Sequence, residues 1–159
     1  MTDLVALIGL VLLSGLVAAV GGAITVTTVT SWYPTLVKPA WNPPARLFGP
    51  VWSALYLLMA VSAWLVWRGR DEADVRVALA LYGIQLALNL IWTLLFFGLR
   101  RPAAALADIA LLWCAILATV GSFWSINATA AALLVPYLAW VTFASVLNLA
   151  IVRLNRTTA

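Results

Sequence analysis

The chain has 159 residues, 65% of them apolar, with only nine Lys and Arg and five Asp and Glu, which is more apolar surface than a water-soluble domain of this length buries. It therefore reads as a membrane protein, and its net charge of +4, scattered over the connections rather than gathered in a stripe, argues against nucleic acid as a partner. Histidine is absent, so His-based bases, triads and metal sites are excluded, and the remaining acids offer neither a hydrolytic pair nor a metal centre.

A helix needs about 20 apolar residues to cross a hydrocarbon core roughly 30 Å thick. Five runs meet that length, Leu4–Ile24, Leu47–Trp67, Val77–Leu99, Ala103–Phe123 and Thr129–Val152. They predict an all-α membrane protein, a five-helix transmembrane bundle forming one domain over residues 1–159. The first run is preceded by Asp3 and no basic residue, and it is too long for a secretory signal, so it is expected to stay as a span. Small residues recur in it as Ser14–Ala18–Gly22 and Gly15–Ala19–Ala23, a pattern that suits close helix packing.

The connection from about Thr25 to Arg46 carries prolines at 34, 39, 43 and 44 and is expected to be a stiff, non-helical cover. The next connection, RGRDEADVR at 68–76, reads as a solvated turn. Lys38, Arg46, Arg100, Arg101, Arg153 and Arg156 fall on one side of the membrane and Arg68, Arg70 and Arg76 on the other. By the positive-inside rule the six-charge side is cytoplasmic, so in a cytoplasmic membrane the N-terminus faces out and the C-terminus in.

On the second run Trp52, Tyr56, Met59 and Ala63 share a face. On the third, at about 100° per residue, Gln85, Asn89, Trp92 and Phe96 fall on one face and Ala80, Gly83, Ala87 and Ile91 on the opposite one. A carboxamide in the bilayer costs several kcal/mol if unpaired, roughly 2–7, so the Gln/Asn face must look into protein. The small face suits another helix, including one from a second subunit, which makes a homodimer through Ala80, Gly83 and Ala87 an expectation. On the fifth run Tyr137, Trp140, Ala144 and Asn148 cluster in the same way.

Aromatic rings on three helices and amides on two point to a pocket for a flat, largely apolar ligand, oriented by a few hydrogen bonds. The competing reading of the tryptophans is an interfacial belt, and it suits Trp64, Trp67 and Trp124 near span ends. Trp113, alone in mid-span beside Cys114, reads as packing or lipid contact, and that single cysteine has nothing to pair with. Asp108 sits about two turns beyond Arg100 and Arg101; an ion pair is the expectation, a proton relay the alternative.

The segments WYPTLVKPAWNPPARLFGPVWSALYLLM (32–59), QLALNLIWTLLFFGL (85–99) and PYLAWVTFASVLN (136–148) resemble the TspO/MBR family of tryptophan-rich sensory proteins and mitochondrial translocator proteins, also known as peripheral benzodiazepine receptors. The resemblance spans nearly the whole chain. It implies a five-helix bundle, usually a homodimer, whose first loop roofs a pocket for porphyrins such as protoporphyrin IX, haem-related tetrapyrroles, sterols or benzodiazepine-site ligands. No cofactor is required on this reading; the porphyrin is the ligand. Some bacterial members are reported to promote light- and oxygen-dependent porphyrin breakdown with two pocket tryptophans, which match Trp52 and Trp140. Ligand-contacting positions match Trp32, Trp41, Asn89, Tyr137 and Ala144, with Trp92 and Asn148 added by face.

The sterol motif proposed for animal members has Leu149 in place of its tyrosine, so a porphyrin is the better expectation. The resulting expectation is a porphyrin-binding sensor or regulator that also supports photodegradation, with transport of a porphyrin, sterol or other amphipathic molecule as the alternative.

Overall fold

Apolar runs of this length satisfy every backbone donor internally only as helices, and a computed structural model, which describes residues 2–155, contains five. These are α1 (Asp3–Ser31), α2 (Phe48–Arg68), α3 (Arg76–Thr93), α4 (Pro102–Trp124) and α5 (Ala128–Leu154), with no strand among the described residues. All five are long and apolar enough to span a membrane, α2 together with the 3₁₀ turn Ala45–Leu47 and α3 with a π-helical segment, Leu94–Gly98. Arg156, counted above for topology, lies outside the described residues.

The helices form a ring. α1 packs on α2, α2 on α5, α5 on α4 and α4 on α3, while α3 and its π segment close the ring against α1.

One boundary departs from expectation. The first span was placed to end at Ile24, with a non-helical cover from Thr25, yet α1 runs on to Ser31. The first proline stands only at residue 34, so it removes no earlier donor. The added turns are also bonded along the helix, as Thr25 Oγ1 donates to the Gly21 carbonyl (2.8 Å) and Ser31 Oγ to the Thr27 carbonyl (2.6 Å).

The expected packing role of the α1 small residues holds only in part. Ser14 is buried and shares a hydrogen bond with the Tyr82 hydroxyl at 2.7 Å, but Gly15, Ala19 and Ala23 face outward, and nothing lies within 4 Å of a Cβ built at Gly15 or Gly22. The close approach occurs elsewhere. A Cβ at Gly98 would come within 2.9 Å of Leu94 Cδ1 and 3.2 Å of Ile24 Cγ2, so glycine there lets α1 lie against the π segment.

That π segment reorients two rings. In an α-helix consecutive side chains diverge by about 100°, whereas the wider turn, closed by Leu99 N–H donating to the Leu94 carbonyl at 2.7 Å, buries both Phe96 and Phe97 with centroids 4.8 Å apart. Arg100 then adopts a left-handed backbone, φ 55°, and Pro102 starts α4.

Candidate functional site: an aromatic cavity under the first loop

Between α1, α2, α3 and α5, at the end capped by the first loop, lies a partly open cavity of about 270 Å³. That is near the lower end of small-molecule sites, roughly 300–1,000 Å³. α4 contributes nothing to its lining. Trp52 from α2, Trp92 from α3 and Trp140, Ala144 and Asn148 from α5 all line it, so five of the nine residues singled out by sequence meet at one surface.

The other four surround that surface. Asn89 is buried behind it and accepts a hydrogen bond from the Tyr56 hydroxyl (2.6 Å) while donating to that of Tyr137 (3.3 Å). Tyr137 packs edge-on against Trp52 at 6.2 Å and Tyr56 lies 5.7 Å from the same indole. The amide therefore sets the two tyrosines that seat Trp52. Trp32 packs against Phe96 at 5.9 Å, and Trp41, 49% exposed on the loop, packs against Phe143 at 5.7 Å.

The lining tryptophans differ in one respect. Trp92 Nε1 donates to Asn148 Oδ1 (3.2 Å), and Asn148 Nδ2 donates to the Pro102 carbonyl (2.8 Å), so this indole is committed to holding α3, α4 and α5 together. Trp52 and Trp140 make no indole N–H bond to any described residue; Trp140 is held by ring contacts with Phe48 (6.4 Å) and Phe143 (5.6 Å). Among the described residues no ring contact joins Trp52 to Trp140.

The roof is built from the proline-rich loop. Tyr33 is buried beneath it, touches Phe48, Phe96 and Phe97, and donates its hydroxyl to Asn42 Oδ1 at 2.6 Å. Burial pushes the Tyr33 hydroxyl up to about 12, against the opposing effect of the Asn42 bond. Lys38 Nζ donates to the carbonyls of Tyr33 (2.8 Å), Leu36 (2.7 Å) and Pro34 (3.2 Å) and lies 5.0 Å from the Tyr33 ring centroid. Asn155 at the end of α5 receives Val37 N–H (3.1 Å) and donates to the Val37 carbonyl (2.9 Å).

Sequence reasoning missed Tyr33, Phe48, Phe97 and Phe143 and the α1 wall of Ala18, Gly21, Gly22 and Thr25. Gly22 and Ala18 had been noticed as small residues, and that smallness is what leaves room. Other expectations shift. Asp108 is buried with no ion pair among the described residues and its Oδ2 unpartnered, because Arg100 and Arg101 are exposed at the helix end. Gln85 donates to Met59 Sδ at 3.7 Å, and its Oε1 is likewise unpartnered. Trp64, expected in a belt, donates to the Asp3 carbonyl at 2.9 Å, and Trp113 donates to Thr142 Oγ1 at 2.9 Å.

The chain matches the model of the TspO/MBR family over residues 8–154. It is 47% identical over 150 residues to "Tryptophan-rich protein TspO" of Chlorobaculum tepidum, covering 92% of this chain and 95% of that one. It is 40% identical over 139 residues to "Protein CrtK" of Rhodobacter capsulatus, 87% of each chain. Against the human "Translocator protein" the identity is 44% over 127 residues, 78% of this chain and 75% of that one. With five apolar helices and a family match from the first helix to the last, the chain belongs to the TspO/MBR family and is an integral multi-pass membrane protein.

Proposed function

We propose that the cavity binds a flat, largely apolar tetrapyrrole of the protoporphyrin IX class, and that the protein senses such pigments and supports their light- and oxygen-dependent breakdown. The observation that carries this reading is the pair Trp52 and Trp140, two indoles on one apolar cavity whose N–H donors are uncommitted. Rings offer stacking area for a planar ligand, and the free donors suit acceptor groups at its edge. Trp52 and Trp140 are the candidate electron or radical donors beside the photo-excited pigment, and dioxygen is the oxidant whose oxygen is added to the pigment as its ring opens. Trp92 and Asn148 shape the wall, Asn89 and Tyr137 seat Trp52, and Trp32 and Trp41 belong to the roof.

The test is protoporphyrin IX titration in the dark by tryptophan quenching, for wild type and the Trp52→Phe/Trp140→Phe double variant, followed by illumination in air. Saturable binding by both, with pigment loss several-fold slower in the variant, is expected. Equal loss rates would remove the tryptophan mechanism, and absence of saturable binding would remove the ligand.

A second reading, transport of the same kind of molecule, is favoured by the name of the human relative. Pigment flux in sealed proteoliposomes, dependent on the protein, would replace the sensor reading.

The protein is further proposed to form a homodimer through Ala80, Gly83 and Ala87 of α3, which are exposed and side by side, with nothing within 4 Å of a Cβ at Gly83. Gly83→Leu is expected to shift the detergent-solubilised mass toward monomer in sedimentation. The excess of basic residues at the roof end supports an orientation with the roof and C-terminus inside, and a bacterial cell membrane is the proposed location.

A further inference from the structure

We infer that the cavity takes its ligand sideways from the hydrocarbon phase, through a gap between α1 and α2 rimmed by Gly22, Gly49 and Ser53. This rests on the reading of the cavity as a site for a flat apolar molecule, and it narrows the ligand class to compounds that partition into the bilayer.

Three features of the structure support the gap. First, of all the residues that line the cavity, only Gly22, Gly49 and Ser53 are exposed; the aromatic lining residues are buried or half-buried. Gly49 and Ser53 lie one turn apart on α2, and α1 is the helix packed beside it. Second, the rim is made of the smallest side chains, and a Cβ built at Gly22 or Gly49 meets nothing within 4 Å. No ring stands over the rim at either glycine. Third, the outward residues flanking Gly22 and Ser53 are apolar, Ala19, Ala23 and Val26 on α1 and Leu57 on α2, so that part of the rim faces hydrocarbon, while exposed Arg46, three residues before Gly49, marks the water side.

The alternative route through the roof is stapled shut. It would require breaking the Tyr33–Asn42 bond, the Lys38 bonds to loop carbonyls and the paired Asn155–Val37 bonds, and lifting Trp41 from Phe143. Each bond broken adds to the barrier for entry from water, whereas Gly22, Gly49 and Ser53 make no side-chain hydrogen bond to any described residue. A planar molecule entering edge-on between the helices reaches Trp52 one residue from Ser53.

Two measurements on the full chain in phosphatidylcholine nanodiscs test the gap. In a Cys114→Ala background, a nitroxide on Ser53→Cys is expected to be relaxed several-fold more by dioxygen, which concentrates in hydrocarbon, than by a water-soluble nickel chelate. The reverse order would overturn the proposal without reference to any ligand. In stopped-flow quenching with protoporphyrin IX, Gly22→Leu/Gly49→Leu is expected to slow association by about tenfold, whatever the change in Kd.

Unchanged association in that variant, or a weaker Kd with unchanged association, would overturn the portal, since the leucines would then act only as lining. Should wild type fail to bind protoporphyrin IX, the tetrapyrrole reading falls, and the nitroxide result still decides the gap. If the double leucine variant does not fold, the nitroxide result again decides.

Discussion

The two ends of this bundle are built from the same five helices and behave oppositely. At the end away from the roof, Met59, Ala63, Val66, Tyr82, Phe123, Ala130, Ala131 and Leu134 are almost wholly buried, and Ser62 Oγ donates to the Ala130 carbonyl at 2.6 Å. Alanines and a serine at these crossings let the helices close up, and the space that remains is filled by Tyr82 and Phe123 at 6.5 Å. At the roof end glycines and alanines stand on α1 while the neighbouring helices carry large rings, and the rings prop a cavity open instead of filling it. Small residues thus close a bundle where they face one another and open it where rings stand around them.

The sharpest way to break this contrast is to delete a ring at each end. Phe123→Ala is expected to cost about 3–5 kcal/mol, because the close-packed end cannot collapse around the lost volume. Phe143→Ala, at the cavity wall, is expected to cost about 1 kcal/mol, the value of its ring contacts. Thermal denaturation in detergent reads both. Equal losses would mean the two ends are packed alike.

A smaller effect separates the wall from its support. Asn89→Leu leaves the buried Tyr56 and Tyr137 hydroxyls without their shared partner and is expected to destabilise the protein by about 1–3 kcal/mol. Because those tyrosines seat Trp52, the emission of Trp52 in a variant lacking the other tryptophans should shift as well. Loss of stability with unchanged emission would make Asn89 a purely structural amide.

The smallest effect concerns the roof. The Tyr33 hydroxyl is raised from 10.0 to about 12, so the folded loop holds the proton more tightly than the unfolded chain. Its contribution is therefore fully present below pH 10 and is lost as pH rises toward about 12. Protection of the loop amides from hydrogen exchange is expected to fall over that window, and Tyr33→Phe should abolish the dependence. A pH-independent roof in wild type would show that burial of the Tyr33 hydroxyl is not coupled to closure of the loop.

Local periodicity carried much of the site. Asn89 and Trp92 on α3, and Tyr137, Trp140, Ala144 and Asn148 on α5, recur at helical spacing, and their inward orientation was legible because no lipid-facing helix surface tolerates a carboxamide. The roof was legible from its prolines. Asp108 was not, since whether an arginine reaches an acid two turns away depends on the rotamer and on which way the helix faces, and the bundle turns Asp108 inward while Arg100 and Arg101 stay outside.

Hydrophobicity and helical period by themselves determined five spanning helices, their inward faces and a stiff first connection, because each is a property of residues within about two turns of one another. Only the tertiary structure decided that α1 continues to Ser31, that a π turn brings Phe96 and Phe97 to one face, that Asn89 serves two tyrosines, and that glycines of α1 wall and open a cavity. Those outcomes depend on which helix lies beside which. A glycine looks the same in sequence whether another backbone rests on it or an empty space does.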